Sequence, residues 1–272
     1  MRASVLPPIP HLDLAEGREY HLTLSHLCEN ERYVKFYRDE RDKGSYIILD
    51  NGAHEFQSGE GPNHLLSKAQ QIRANEIVCP DFLFDADQTV SLAEKALPIF
   101  AGDMGMTTLY HTGARIQLYR IMLVPQGKNY LSWRRCLHHL IELYFEQRFI
   151  LPPVIGLSKD YEMWEGGLFK LIANDILPLV RERSLDLHLL GWGRDMKALP
   201  IISREFGSWI RSVDSAKPIV YATAGIGIDD VVQTPEYPKR PEGYFKKTLT
   251  PDELLLARRN IDVFDQCCNG RR

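Results

Sequence analysis

"SYIILDNGAHEF", residues 45–56, holds the question on which the fold turns. Tyr46 to Leu49 are four apolar or aromatic residues in a row and read as a buried strand. They run directly into Asp50-Asn51-Gly52, residue types that tolerate left-handed backbone angles and make turns. The plain reading is therefore a turn. The sharper one is a catalytic carboxylate at the mouth of a parallel sheet. Both need a strand ending at residue 50, so the neighbouring segments must say what sheet it joins.

Working outward, strand-like and helix-like segments take turns. "YHLTL" (20–24) is strand-like, and residues 29–43 suit a helix. After the strand at 46–49 come a helix at 63–74 and a short strand "EIVCPD" (76–81). Ala93, Ala96, Leu97 and Phe100 mark one helical face. "LYRIMLVPQG" (118–127) is a strand, followed at helical spacing by Trp133, Leu137, Leu140, Ile141 and Tyr144. "PVIGLS" (153–158), a helix at 167–181, "LDLHLLGWG" (185–193) with a helix after it, and "WIRSVDS" (209–215) continue the pattern. Leu254, Ala257, Ile261 and Phe264 give a closing helix. Alternation of this kind implies right-handed crossovers and a parallel sheet. About 250 residues of βα repeats is the usual size of a (β/α)8 barrel. The expected fold is therefore α/β, a TIM-like (β/α)8 barrel in one domain over 1–272. Seven strands are assigned and the eighth is irregular or missing. No G-x-G-x-x-G follows the first strand, which disfavours a dinucleotide-binding sheet.

Composition sets the outer bounds. The chain has 272 residues, 44% hydrophobic and 25% charged, ordinary for a globular domain. No run has the apolar length to span a bilayer. "MRASVLPPIPHLDLAEG" lacks a signal-peptide core and reads as an irregular leader. The cysteines (28, 79, 136, 267, 268) are odd in number and scattered, which implies reduced thiols, a cytoplasmic setting and no zinc site. Net charge is −3, yet residues 239–272 carry eight Lys/Arg against five Asp/Glu. The doublets Lys239-Arg240, Lys246-Lys247, Arg258-Arg259 and Arg271-Arg272 lie there. This basic C-terminal extension, beginning near 225 with a Gly- and Pro-rich excursion, reads either as a solvated surface or as a phosphate-binding one.

Polar residues and glycines end the strands: Asp50, Asp81, Gln126-Gly127, Gly156, Gly191, Gly193 and Asp214. In a parallel barrel all those ends share one rim, where active sites sit. Taken singly each is a cap or turn residue. Taken together they form a carboxylate-rich mouth. No serine–histidine arrangement falls at the rim, and His188, inside a strand, reads as a packed core residue. Two rim aspartates suit chemistry at an anomeric carbon, one attacking carbon and one moving protons. A third acid with an amide suits a purine edge.

These residues resemble a known family. "ILDNGAHEF" resembles the D-S-G-G/A-F/Y-Q segment of tRNA-guanine transglycosylases, and "MLVPQGKNYLSWRRCLHHLIE" their G-I-V-Q-G-G segment with its helix. "VIGLS" resembles A-I-G-G-L and "HLLGWG" resembles L-M-G-V-G, all in the family's order over residues 45–222. "RSVDSAKP" falls where that family has its nucleophilic aspartate. The D-N-G-A and V-D-S forms are most similar to the phage and bacterial branch that modifies DNA, the DNA 7-deazaguanine transglycosylases. The resemblance implies exchange of guanine in DNA for a 7-deazaguanine base, such as 7-cyano-7-deazaguanine, through a covalent aspartyl intermediate and without a cofactor. It implies Asp214 as nucleophile and Asp50 as general acid and then base. It implies Asp81, Gln126 and Gly127 at the base edge, backbone groups of Gly156 and Leu157 beside it, and Asn51 in the pocket floor. His54 or Phe56 would stack on the base. Lys239, Arg240, Lys246 and Lys247 would hold DNA phosphates, with Tyr244-Phe245 beside them as a stacking pair or core. For a phage-encoded enzyme the setting would be the host cytoplasm. The family's C-x-C-x-x-C…H zinc subdomain has no counterpart here. A tRNA-guanine transglycosylase, a catalytically silent nucleic-acid-binding barrel and an unrelated barrel enzyme acting on small sugars remain the alternatives.

Overall fold

Short apolar runs between polar turns become the strands β1 (Arg2–Val5), β2 (Tyr20–Leu24), β3 (Tyr46–Asp50), β4 (Glu76–Val78), β5 (Met106–Thr108), β6 (Arg115–Gln117), β7 (Arg120–Leu123), β8 (Val154–Ser158), β9 (Asp186–Leu190) and β10 (Ile210–Ser215). The computed structural model describes residues 1–102, 106–108, 115–192, 198–228 and 238–270. Gly193, Arg271 and Arg272 lie outside the described residues, as does part of the 225–250 excursion. Eight strands form one all-parallel sheet in the order β1-β10-β9-β8-β7-β4-β3-β2. β5 and β6 form a separate antiparallel pair, which the sequence reading did not anticipate.

The sheet curls into a nearly closed barrel. β1 and β2 are its ends, and side chains bridge the seam between them. The Leu22 N–H donates to Ser4 Oγ (2.9 Å), and Arg18 Nη1 donates to the Ala3 carbonyl (3.2 Å). Arg18 also makes a two-pronged ion pair with Asp265, so the last helix is tied to the same seam.

β1 corrects the reading of residues 1–17 as an irregular leader. Arg2 to Val5 pair in parallel with Ser212 to Ser215 and supply the eighth strand. Four residues before Pro7-Pro8 carry too little pattern to announce a strand. Their ladder comes entirely from a partner more than 200 residues away.

The helices α1 (Glu31–Asp42), α3 (Pro62–Ile72), α4 (Ala86–Ala101), α5 (Tyr130–Glu146), α6 (Gly167–Leu171), α7 (Leu177–Arg183), α8 (Ala198–Phe206), α9 (Lys217–Thr223) and α10 (Pro251–Cys268) surround the sheet, and the single turn α2 (Ala53–Phe56) lies at the rim. α6 and α7 are joined by a π-helical turn, Ile172–Ile176, within the helix expected at 167–181. Both α5 and α10 begin with a reciprocal capping box, Asn129 with Ser132 and Thr250 with Glu253. No helix among the described residues is long and apolar enough to cross a membrane.

Alternation along each strand sorts side chains to two sides. Ile47, Leu49, Ile77, Ile121, Leu123, Ile155, Leu157, Leu187, Leu189 and Val213 face the helices in the larger core. Leu22, Leu24, Ile48, Val78, Met122, Val124 and Val154 fill the barrel interior. The interior lower end is ionic. Arg211 lies against the stacked rings of Tyr20 and Tyr46 (5.3 Å to each centroid) and forms a bidentate pair with fully buried Glu76. A register shift between Ile210 and Ser212 places the extra residue Arg211 there.

Candidate active site

A cavity of about 460 Å³ opens at the C-terminal ends of the barrel strands. Asp50, Asn51, His54, Asp81, Gln126 and Asp214 line it, with Lys239 and Arg240 at its edge. The structure thus brings together residues from positions 50 to 240.

The Asp50-Asn51-Gly52 stretch is both a turn and part of the cavity wall. Gly52 takes a left-handed angle (φ 79°), and its N–H donates back to Asp50 Oδ2 (2.9 Å). A side chain at Gly52 would be strained there and would crowd Phe56 and Ser25. Burial in the cavity wall, and next the neighbouring Glu55 carboxylate, push the Asp50 carboxyl up to about 8. Asp81 and Asp214 act in the same direction, while the Gly52 N–H opposes them. A carboxyl raised in this way favours its protonated form at neutral pH. Glu55 itself is held by Arg240 Nη2 (2.8 Å), and the Arg240 guanidinium carbon lies 5.0 Å from the Phe245 ring centroid.

Asp81 is gripped on both oxygens. Asn51 Nδ2 donates to Oδ1 and Gln126 Nε2 to Oδ2, each at 2.6 Å. Burial raises this carboxyl to about 6, against those two hydrogen bonds, which lower it. Both oxygens act as acceptors, which suits the ionised form, and both retain lone pairs for further donors. The Gln126 amide has one orientation, because its Oε1 accepts from Tyr161 Oη (2.5 Å) and from the Phe84 N–H (3.1 Å). Phe84 holds that N–H in place from a left-handed backbone angle (φ 62°), rare for an aromatic residue. Asn51 is equally committed. Its Nδ2 also donates to the Cys79 carbonyl (2.7 Å), and its Oδ1 accepts from the Ala53 N–H (2.8 Å).

Asp214 has one oxygen occupied. Its Oδ1 accepts from the Gly191 N–H (2.9 Å) and lies 3.1 Å from His188 Nε2. Among the described residues its Oδ2 has no hydrogen-bond partner. His188 in turn lies 2.7 Å from Ser212 Oγ. A serine, a histidine and an aspartate therefore do adjoin, but below the rim. Ser212 and His188 are fully buried and neither lines the cavity. Sequence reading placed His188 in the core and missed its contact with Asp214. Alternation two residues apart on one strand, with the neighbouring strand in register, was the available signal.

The remaining residues fall elsewhere. Gly127 does not line the cavity; a Cβ there would meet the Trp133 backbone nitrogen at 2.4 Å, so it serves close packing of β7 on α5. Gly156 lies in the barrel interior, where a Cβ would meet Leu190 and Met122 at 2.8 Å. The Leu157 side chain faces the helices. Ser158, Lys159 and Asp160, just beyond, line the cavity. Of the two stacking candidates, His54 lines the cavity, 3.3 Å from Lys159 Nζ. Phe56 is 58% exposed outside it, edge-on to His26. Tyr244 is core, donating its hydroxyl to the Leu6 carbonyl (2.8 Å). Lys246 is exposed away from the cavity, and Lys247 pairs with Glu253 (3.2 Å).

All five cysteines are free and buried. Among the described residues no group of three or more His, Cys, Asp or Glu side chains is placed to hold a metal ion. No family model matches the chain, and no curated protein matches it.

Proposed function

We propose that the protein exchanges guanine in DNA for a 7-deazaguanine base. The observation that carries this reading is the division of labour among three aspartates on one cavity: Asp50 raised by burial, Asp81 gripped on both oxygens, Asp214 with one oxygen fixed and one open. Carboxyl groups on one cavity with such different surroundings suit different roles, one as proton donor and one as nucleophile.

In this reaction Asp214 Oδ2 attacks C1′ of the sugar and the C1′–N9 bond breaks. The bonding pair leaves with the purine, and Asp50 supplies the proton that makes it neutral guanine. The incoming 7-deazaguanine gives its N9 proton to the Asp50 carboxylate and attacks C1′. The ester bond to Asp214 then breaks, restoring both side chains. Two displacements retain the anomeric configuration. Asp81 accepts from the adjacent N–H groups of the guanine edge, which adenine does not present in that pattern. The target nucleotide must leave the stack to reach the cavity, at a cost of a few kcal/mol. Lys239 and Arg240 at the mouth offset it through phosphate contacts.

Labelled 7-cyano-7-deazaguanine incubated with the protein and guanine-containing duplex DNA should enter the DNA, and enter tRNA far more slowly at equal salt. RNA carries a 2′-hydroxyl beside the attacked carbon, for which a site built for DNA need leave no room. Asp214→Asn should abolish both exchange and the trapped protein–DNA adduct while its thermal unfolding stays cooperative. Preferential labelling of tRNA would move the substrate to RNA. Exchange by Asp214→Asn at the normal rate would remove the nucleophile.

A further inference from the structure

Below the cavity runs a chain of polar groups that the exchange reaction does not itself use. Glu76 takes both terminal nitrogens of Arg211 (2.7 and 2.9 Å). Arg211 Nε reaches Ser212 Oγ (3.3 Å). Ser212 Oγ lies 2.7 Å from His188 Nδ1, and His188 Nε2 lies 3.1 Å from Asp214 Oδ1. Glu76, Ser212 and His188 are fully buried. From these links we infer that His188 is a positioning residue for Asp214, locked by Arg211 and Ser212 into the tautomer that carries its proton on Nε2.

The direction of the chain follows from its far end. A guanidinium only donates. Ser212 Oγ therefore accepts from Arg211, and because its other partner among the described residues is His188 Nδ1, the buried hydroxyl gives its proton to that nitrogen. Nδ1 must then be the bare nitrogen, and Nε2 carries the hydrogen that Asp214 Oδ1 accepts. With the Gly191 N–H on the same oxygen, two donors fix the carboxylate's rotation and leave Oδ2 toward the cavity. A carboxylate held this way needs no reorientation before it attacks. His188 neither gives nor takes a proton in the exchange, because it does not reach the cavity. Strand geometry explains the set. Ser212 pairs with His188 across β10 and β9, and Asp214 follows two residues on, facing the same interior.

The inference rests on Asp214 as nucleophile for its catalytic half, but its tautomer half does not. ¹⁵N NMR of the labelled protein without DNA should show His188 as the Nε2–H form near neutral pH, assigned by its loss in His188→Gln. The Nδ1–H form would overturn the proposal whatever the activity. Two isosteric variants then separate positioning from packing. In His188→Gln the amide nitrogen falls where Nε2 was and still donates to Asp214. In His188→Asn the amide reaches only toward Ser212. With guanine DNA, His188→Asn should form the covalent adduct about 10–100-fold more slowly at unchanged KM, the usual worth of an outer partner that orients a reacting group. His188→Gln should stay within about tenfold of the parent. Equal losses in the two variants at equal melting temperature, or a normal rate in His188→Asn, would overturn the positioning role. If either variant fails to fold, Ser212→Ala, which frees Nδ1, should broaden or split the tautomer signal, and an unchanged signal would overturn the lock. A parent protein that forms no adduct with DNA sinks the exchange reading alone, since the tautomer measurement needs no substrate.

Discussion

Replacing Asp50 by Asn should stabilise the protein at pH 8 and leave it nearly unchanged at pH 4. The ordinary carboxyl value is 3.8, and burial beside Glu55 lifts Asp50 to about 8. Between those values the folded protein holds a proton that the unfolded chain releases. Stability contributed by the protonated form is thus full below about pH 4 and falls as pH rises toward 8. Each pH unit in that window is worth about 1.4 kcal/mol. The whole interval is a ceiling of about 6 kcal/mol, and water in the open cavity reduces it to on the order of 4. Asn has the shape of the neutral acid, can still accept from the Gly52 N–H and has no proton to lose. At about 2 °C per kcal/mol for a chain of this size, the variant should melt roughly 8 °C above the parent at pH 8. The assay is thermal or urea unfolding of both proteins at pH 4, 6 and 8. Titrations of groups remote from Asp50 cancel in the difference. A gap that fails to widen with pH would mean that Asp50 ionises normally, and its role as a proton donor would fall with that result.

Three further outcomes follow from the same contacts. Asn51→Ala strips partners from Asp81 Oδ1, the Cys79 carbonyl and the Ala53 N–H; urea unfolding should show a loss of about 2–4 kcal/mol, and guanine binding should weaken. The double change Lys239→Ala with Arg240→Ala should raise KM for DNA more than it lowers kcat, whereas Lys247→Ala, which does not line the cavity, should do less; steady-state kinetics at two salt concentrations would show both. Gly127→Ala forces a methyl into the Trp133 backbone, and expression with circular dichroism should report a protein unfolded or destabilised by more than about 3 kcal/mol.

The barrel was legible because strand and helix periods differ and the chain alternates them with little ambiguity. Asp50, Asp81, Gln126 and Asp214 were legible for a related reason: a parallel sheet sends every strand's C-terminal end to one rim. β1 was not, since four residues before two prolines have no period to read. Its ladder with β10 exists only in three dimensions. The grip on Asp81 was hidden too. Tyr161 and Phe84 act on it through Gln126, and nothing in their own neighbourhoods marks them. His188 was seen as buried but not as bonded, because burial follows from strand position whereas a partner depends on register. Gly127 and Gly156 are also closely packed, against the Trp133 backbone and in the barrel interior, which a glycine at a strand end does not announce in sequence.

The Arg211–Glu76 pair under Tyr20 and Tyr46 stops the barrel at its lower end. A molecule that enters the cavity has no passage through the floor and must return by the mouth. Under the proposed exchange, the departing purine and the arriving one use the same doorway while the sugar stays tethered inside. They cannot pass each other there. The first must be gone before the second comes in, so the two substrates will obey a strict ping-pong order. Free guanine will compete with the incoming base and not with DNA.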